Sequence, residues 1–281
     1  MGQRSKDSEQ VSVTDTAIGV AMERAMESER SDALFHDPCA TDLVGPRGKE
    51  IAKKMGRSGW AVTVRTRVLD DLLLRTLRQH QVQTVLSLGA GLDARPYRLD
   101  LPGDLRWIEV DVPETIDYKE RVLAPRTPRC HVERHAADLA DRSARERILA
   151  LAAPAPALIL TEGVLHYLSP GAVEELATDA WQYSAIRWWL LDVAHPMAVT
   201  WGRRATTAVD LWQFTPDDGI ERFRSWGWRP ADVISGWEEA RRYGRLSWLM
   251  RLAWSLSPRS RRDLFRHIST YALLERNAGT V

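Results

Sequence analysis

The sequence has few of the features that mark several large classes of protein. Only two cysteines, Cys39 and Cys130, occur in 281 residues. Two cysteines cannot form a disulfide framework, which favours a reducing compartment. The His and Cys residues also lack the spacing of a metal site. No run of about 18 apolar residues is present, so no membrane span is predicted. We expect a cytoplasmic protein without a bound metal, and the polar first 13 residues contain no apolar core of a signal peptide.

Net charge is also nearly absent. Lys and Arg together number 39 and Asp and Glu 38, which leaves a formal net charge of +1. The chain as a whole therefore offers no electrostatic reason to bind nucleic acid or an anionic membrane, and neither partner is expected.

The chain does contain a series of short apolar runs separated by helical stretches. Apolar and β-branched residues predict strands, and helical spacing returns between several of them, notably at 142–152 and 170–183. Alternating strands and helices predict an α/β protein with a mostly parallel sheet and helices on both faces. The predicted strands are 84–88, 106–111, 130–136, 157–161 and 187–194.

The two ends of the chain follow other patterns. Helical spacing runs from 14 to about 43, with a break at Asp37-Pro38, and a second helix is predicted over 60–79. From 201 to 262 tryptophan and arginine become dense, and 269–276 reads as one last strand. The predicted layout is a helical N-terminal cap (1–60), an α/β core (61–200), a Trp-rich helical insertion that covers the substrate (201–262), and a closing strand of the core sheet (263–281).

A glycine turn follows the first predicted strand in VLSLGAGLDARPYRL, residues 85–99. Gly89-Ala90-Gly91 lacks large side chains, so a ligand could approach the backbone closely. Such a turn occurs in proteins that bind NAD, FAD or S-adenosylmethionine (SAM), and also in plain turns.

Acidic residues at the ends of later strands help to distinguish a ligand-binding turn from a plain one. Asp111 ends the second strand about 20 residues after the glycines, where nucleotide-binding α/β proteins place a ribose-binding carboxylate. The alternative is a solvated acid that caps the next helix, before Pro113. Asp138 and Glu162 end the third and fourth strands, so all these acids should meet at one edge of the sheet.

These segments resemble the leucine carboxyl methyltransferase family. The resemblance lies in GAGLDARPYRL, RWIEVDVPETIDYKERVL and TEGVLHYLSP, and extends to AMERAMESERSDALFHDPCATDL and VRTRVLDDLL. It covers about residues 15–200 and is strongest to a bacterial branch with tetracenomycin-type polyketide O-methyltransferases. It implies a Rossmann-like SAM methyltransferase fold, SAM as cofactor, and a small-molecule acceptor, with a peptide or carrier-bound carboxyl group as an alternative.

The resemblance also implies roles for individual residues. Arg65 matches an arginine that pairs with the methionine carboxylate of SAM. Arg67 is the alternative if the alignment with the family is shifted. The family's protein-modifying members carry a lysine that reaches SAM, for which Arg24 is a loose candidate here. The remaining matches are Gly89, Ala90 and Gly91 beside the methionine portion, Asp111 at the ribose, Asp138 and Leu139 beside the adenine, and Glu162 near the amino group.

The acceptor decides whether a base is needed. A carboxylate is ionised at neutral pH, whereas a phenol, with a pKa near 10, would benefit from a general base. His166, Tyr167 and His195 follow strand ends and are the candidates, although each could be structural; many relatives carry an apolar residue at position 166. We predict transfer to a carboxylate, with a phenolic or alcoholic hydroxyl as the alternative.

Ten of the 12 tryptophans lie from Trp181 onward. Flat aromatic walls would suit an aromatic or polycyclic acceptor, but a small helical subdomain could equally use tryptophan for its core. Two other functions stay open: an NAD-binding oxidoreductase, and a non-catalytic partner protein with a SAM-binding fold. The tryptophans expected to cover the acceptor are Trp201, Trp212, Trp226, Trp228, Trp237, Trp248 and Trp254.

Overall fold

The computed structural model describes residues 13–46, 48, 50–51, 60–203 and 208–277. The polar N-terminal segment lies, up to position 12, outside the described residues. Within the described part of the chain, no helix is long and apolar enough to cross a membrane.

A seven-stranded sheet forms the centre of the protein, in the spatial order β3-β2-β1-β4-β5-β7-β6. Strands β1 to β5 pair in parallel with one another, and β7 pairs antiparallel with β5 and β6. The predicted α/β class with a mostly parallel sheet is confirmed. The strands are β1 Thr84–Leu88, β2 Arg106–Asp111, β3 His131–Ala136, β4 Ala157–Thr161, β5 Ile186–Ala194, β6 Trp228–Ser235 and β7 Ser269–Arg276.

Helices surround this sheet, and the helix predicted over 60–79 is present. Three short 3₁₀ segments, Leu165–Tyr167, Ala208–Leu211 and Gly219–Trp226, lie in the connections. The α-helices are α1 Val13–Ser28, α2 Ala40–Val44, α3 Trp60–Gln79, α4 Arg95–Arg98, α5 Pro113–Leu123, α6 Arg142–Ala150, α7 Pro170–Gln182, α8 Pro196–Gly202, α9 Gly236–Arg242, α10 Trp248–Leu256 and α11 Arg259–His267.

Both faces of the sheet are covered, which explains the continuous apolar runs of its central strands. Every residue of β1 and β4 is buried. Val85 packs in the cluster that contains Leu72 of α3, whereas Leu86 packs in the cluster that contains Leu176 of α7. Because β1 lies between β2 and β4, the chain order reverses there, and a crevice is expected beyond the carboxyl ends of these strands.

The helix predicted over 14–43 is interrupted. Helix α1 ends at Ser28 because polar side chains there take up backbone groups of the following loop. The Glu27 carboxylate accepts from the Leu34 N–H at 2.7 Å, and the Ser28 hydroxyl accepts from the Asp37 N–H at 2.9 Å. The chain therefore turns before α2, and α1 and α2 pack together as a cap.

The predicted helical insertion requires a correction. Strand β6, residues Trp228–Ser235, lies inside the 201–262 segment and extends the central sheet at its edge. Pro230 lies in this strand next to a register shift, and proline is tolerated at sheet edges and bulges. The segment was expected to be helical because this proline and the charged residues around it obscure the strand pattern.

Candidate active site

A cavity of about 850 Å³ opens at the carboxyl ends of β1, β2, β4 and β5. Its floor is the glycine turn and the neighbouring strand ends, and its walls come from α1, the first turns of α3 and segments that follow β5. This volume is in the range of small-molecule sites, roughly 300–1,000 Å³. The crevice expected from the strand order is therefore a real cavity.

The glycine turn forms part of the floor. Gly89 and Gly91 have φ angles of 62° and 46°, in the left-handed region that favours glycine. A Cβ atom at position 89 would lie 2.5 Å from Val164 Cγ2, so no larger residue fits there. Gly89, Ala90 and Gly91 all line the cavity, as predicted from the sequence.

The strand-end acids predicted to contact the nucleoside also line the cavity. The Asp111 carboxylate accepts hydrogen bonds from the Gly91 N–H at 2.7 Å and the Val112 N–H at 2.8 Å. These bonds fix the carboxylate against the glycine turn. Asp138 is exposed and Leu139 is half-buried, and both face the cavity. The ribose role of Asp111 and the adenine roles of this pair stay predictions.

Arg65 enters the cavity from α3 and is held by two carboxylates. Its Nε donates to Glu162 Oε1 at 3.0 Å and its Nη1 donates to Asp192 Oδ2 at 3.2 Å. Burial alone would lower the pKa of Arg65, but Asp192 and Glu162 raise it above its usual value, so the side chain stays charged. A fixed guanidinium is suited to binding the carboxylate of an amino acid.

The other two arginines considered for this role lie differently. Arg67 pairs with Asp71 at 2.9 Å and donates to the Leu34 carbonyl at 3.0 Å, and it does not line the cavity. Arg24 does line it, but it pairs with Asp37 at 2.9 Å and donates to the Leu92 carbonyl at 2.6 Å. Arg24 thus fastens the cap to the chain after the glycine turn.

Glu162 is part of a larger buried ion network. Its second carboxylate oxygen lies 2.6 Å from Nη2 of Arg95, a side chain that is 1% exposed. Arg95 also pairs with Asp70 at 2.7 Å and Asp93 at 2.8 Å. Burial alone would raise the pKa of Asp93, but the arginines around it hold this pKa well below its usual value. Arg65 and Arg98, which pair with Glu162 and Asp70, add two cations, so three arginines lie among these three carboxylates in and beneath the cavity.

His166 lies in this region but is enclosed. Its Nε2 is 3.2 Å from Asp192 Oδ2, and its ring stacks on Trp212 with centroids 4.5 Å apart. Its Nδ1 is shielded from solvent and has no hydrogen-bond partner among the described residues. Only 3% of the residue is exposed, although it contributes to the cavity wall. Neither ring nitrogen is open to a molecule in the cavity in this arrangement.

The other two base candidates are not equivalent. Tyr167 lines the cavity beside His166. His195 does not line it; its Nδ1 accepts the Met197 N–H at 3.2 Å and caps the N-terminus of α8. The structure therefore brings His166 and Tyr167 to the cavity and leaves His195 outside it.

Aromatic side chains form another part of the cavity wall. Of the seven tryptophans expected there, three line the cavity: Trp201, Trp212 and Trp237. Trp60, at the start of α3, joins them and meets Trp237 edge-on at 6.0 Å. The other four lie elsewhere: Trp226 and Trp228 pack with the core, Trp248 is exposed, and Trp254 lies between Arg241 and Arg262.

Residues 17–180, more than half of the chain, match the sequence model of leucine carboxyl methyltransferases. The chain belongs to the leucine carboxyl methyltransferase family. The family predicted from the sequence is thus confirmed. Family membership also contradicts the alternative of an NAD-binding oxidoreductase.

Individual relatives of this family member are bacterial. A candidate SAM-dependent methyltransferase of Streptomyces coelicolor is 33% identical over 256 residues, which cover 82% of this chain and 87% of that protein. A candidate SAM-dependent methyltransferase of Parafrankia is 40% identical over 199 residues, which cover 65% of this chain and 63% of that protein. The crystal structure of a methyltransferase candidate from Thermobifida fusca superimposes with a TM-score of 0.57 at 16% identity and covers 97% of each chain, which shows a shared fold.

Sequence reasoning missed two residues of this leucine carboxyl methyltransferase site. Asp192 lies near the end of β5, is 4% exposed, and accepts the Gly163 N–H at 2.7 Å in addition to contacting Arg65 and His166. An acid near the end of an apolar strand could have been found by the argument that identified Glu162. Arg95 could not, because Asp70 and Glu162, two of its three partners, are distant in sequence. Among the described residues, no group of three or more His, Cys, Asp and Glu could hold a metal ion.

Proposed function

We propose that the protein transfers the methyl group of SAM to a carboxylate oxygen of a small apolar or aromatic molecule. The general part of this statement follows from the family: the chain is a SAM-dependent methyltransferase, and its relatives carry that name. The predicted cofactor, SAM, is thereby confirmed. The acceptor and the methylated atom are the parts that we propose.

The residues of the cavity fit this cofactor. SAM supplies a methyl group on a sulfonium and also carries an ammonium and a carboxylate. Arg65 offers a fixed cation for the carboxylate, and Glu162 and Asp192 offer anions near it. Asp111, next to the glycine turn, is the carboxylate that would accept hydrogen bonds from the ribose hydroxyls. The chain's contribution is to orient the cofactor and exclude water from its reactive end.

The observation that carries the carboxylate acceptor is the enclosure of His166. A hydroxyl acceptor must lose a proton, and the histidine beside the cavity offers no open nitrogen. The Tyr271 hydroxyl is also buried, and burial raises its pKa above its usual value, so it stays neutral. A carboxylate needs no base, and its charge is attracted to the sulfonium in a site of low polarity.

The tryptophan wall supports an apolar or aromatic acceptor. Trp60, Trp212 and Trp237 line the cavity in addition to the ionic groups, and Trp60 contacts Trp237 edge-on. Aromatic rings bury large areas and stack on other rings with centroids about 4.5–7 Å apart. A planar acid with its carboxylate towards the strand ends would use both halves of the cavity.

One observation favours a hydroxyl acceptor as a second candidate. An imidazole that contacts a buried carboxylate, as His166 contacts Asp192 at 3.2 Å, is the usual arrangement of a general base. A rearrangement of the groups that enclose the ring would be needed to open Nδ1. Methylation of a phenol or alcohol is therefore the alternative to test.

The experiment uses aromatic acids and matched phenols with the purified protein and SAM, and mass spectrometry to detect the gain of one methylene. Treating the product with mild alkali then separates the candidates, because a methyl ester is hydrolysed and a methyl ether is not. We expect alkali-labile products. His166→Ala should slow turnover only modestly; a loss of about 10²–10⁴-fold with unchanged SAM affinity would establish the hydroxyl alternative.

A further inference from the structure

Helix α10, residues Trp248–Leu256, is apolar on two opposite sides. Met250 and Trp254, four residues apart, pack against the core, and Met250 also lines the cavity. Trp248, Leu252 and Leu256 recur at the same spacing on the other side, with Leu249 next to them. Their exposed fractions are 66%, 48%, 77% and 58% in the order Trp248, Leu252, Leu256 and Leu249.

This exposed apolar face is unusual for a surface helix. A single exposed leucine needs no explanation, but a contiguous group on one helix face marks an interaction site. Four of the six large hydrophobic side chains that are exposed among the described residues lie on this one helix. Another, Val233, is 53% exposed on strand β6 and provides an isolated comparison.

Positive charge surrounds the face. From Trp248 to His267 the sequence contains five arginines and one carboxylate, that of Asp263. Helix α10 itself has no acidic residue in its first turn and carries exposed Arg251, and α11 begins with exposed Arg259. The whole-chain net charge of +1 hides this local excess, because acids predominate elsewhere.

We propose that the outer face of α10, together with exposed Arg251 and Arg259, binds an anionic lipid surface. A helix with tryptophan and leucine on one side and arginine beside them lies in the membrane interface and is attracted to anionic headgroups. A second copy of the chain is disfavoured as the occupant, because two such basic faces would repel each other across a symmetric contact. This proposal revises the expectation of no membrane partner and does not depend on the identity of the acceptor.

The position of α10 gives this surface a functional consequence. One side of the helix borders the cavity through Met250, and the other side would lie in the lipid. The cavity would then be one helix away from a source of apolar molecules.

The experiment is co-sedimentation of the full chain with vesicles of phosphatidylcholine alone or with phosphatidylglycerol added. We expect binding to the anionic vesicles that weakens as salt is raised. The double variant Leu252→Gln, Leu256→Gln should lower the vesicle partition coefficient about tenfold or more, because it removes two leucine side chains that would be buried in the lipid. Val233→Thr is the matched control and should bind like the wild type. Glutamine keeps the helix propensity, and both variants should bind SAM normally.

Three outcomes would overturn the proposal. The first is no binding to anionic vesicles at low salt. The second is binding that is equally reduced in the control variant. The third is a change of oligomeric state without vesicle binding: light scattering would show a dimer for the wild type and a monomer for the double variant. That result would assign the face to a second copy of the chain. Because SAM binding is measured separately, failure here leaves the proposed enzymatic function intact.

Discussion

The two halves of the cavity are built by different means. The half at the ends of β1, β4 and β5 holds charged side chains that are buried and multiply bonded, such as Arg65 between Glu162 and Asp192. The half formed by α3 and the segments after β5 presents indole rings, such as those of Trp60 and Trp237. A ligand with fixed charges requires fixed countercharges, whereas an apolar ligand requires shape and area. The first half therefore suits one cofactor, and the second can be altered for a new acceptor without disturbing it.

The largest expected effect tests whether the charged half also supports the fold. Arg95→Met should lower the free energy of unfolding by about 3–5 kcal/mol, because it leaves the buried Glu162, Asp70 and Asp93 without their common partner. Urea unfolding would measure this. Arg67→Met on α3 is the control, since its ion pair is exposed and should contribute at most about 1 kcal/mol. Equal losses in the two variants would contradict the distinction.

Asp111→Ala tests the nucleoside end of the charged half. We expect SAM binding to weaken by roughly 1.5–3 kcal/mol, the range for hydrogen bonds to a charged group. The loss combines the ribose contacts with the anchor that Asp111 gives the Gly91 N–H. Isothermal titration would measure it, with Asp42→Ala, an exposed acid on α2, as the control. Wild-type affinity in a folded variant would remove Asp111 from the ribose site.

Asp192→Asn tests the acid that sequence reasoning missed. Burial alone would raise the pKa of Asp192, but Arg65, His166 and the Gly163 N–H hold it below its usual value. The stabilisation is therefore complete above the unfolded pKa of about 3.9 and is lost as the pH falls towards the lower folded value. The wild type should be more stable than the variant by about 1.5–3 kcal/mol at pH 7, and this gap should shrink below about pH 4. Urea unfolding at several pH values measures it; a gap independent of pH would contradict the assignment.

Arg65→Lys keeps the charge but loses the planar fork. We expect a weaker SAM affinity, by about 1.5 kcal/mol or more, since a hydrogen bond to a charged group is worth roughly 1.5–3 kcal/mol. Arg67→Lys should change nothing, because Arg67 faces away from the cavity. If the two variants behave alike in titrations with SAM, Arg65 does not bind the methionine carboxylate.

The smallest effect is expected in the aromatic half. Trp212→Leu should raise the KM for an aromatic acid by a few-fold, corresponding to about 0.5–1.5 kcal/mol for an aromatic pair. The dissociation constant for SAM should stay the same, because the indole packs on His166, which is not among the residues expected to bind SAM. Steady-state kinetics combined with SAM titration would show this, and a parallel loss of both would mean that the two halves are not separable.

The same contrast explains what could be predicted from the sequence. Strands β1 and β4 were predicted to the residue because a buried strand is rich in apolar residues, and Asp111 was predicted because it ends β2 about 20 residues after the glycines. Strand β6 was missed because Pro230 and the charges of Arg229 and Asp232 interrupt the strand pattern within a segment that was expected to be helical. The Arg95 network could not be predicted, because pairs such as Arg95 with Glu162 form only after distant segments meet. Which tryptophans line the cavity also depends on contacts between segments that are distant in sequence.

Gly163 limits how sequences of this family can vary at two positions. It has a φ angle of 66°, its N–H is bonded to Asp192, and a Cβ atom there would lie 2.9 Å from Nη1 of Arg65. A side chain at this position would displace the guanidinium and would also strain the backbone. In an alignment of relatives, position 163 is therefore expected to stay glycine wherever position 65 is arginine.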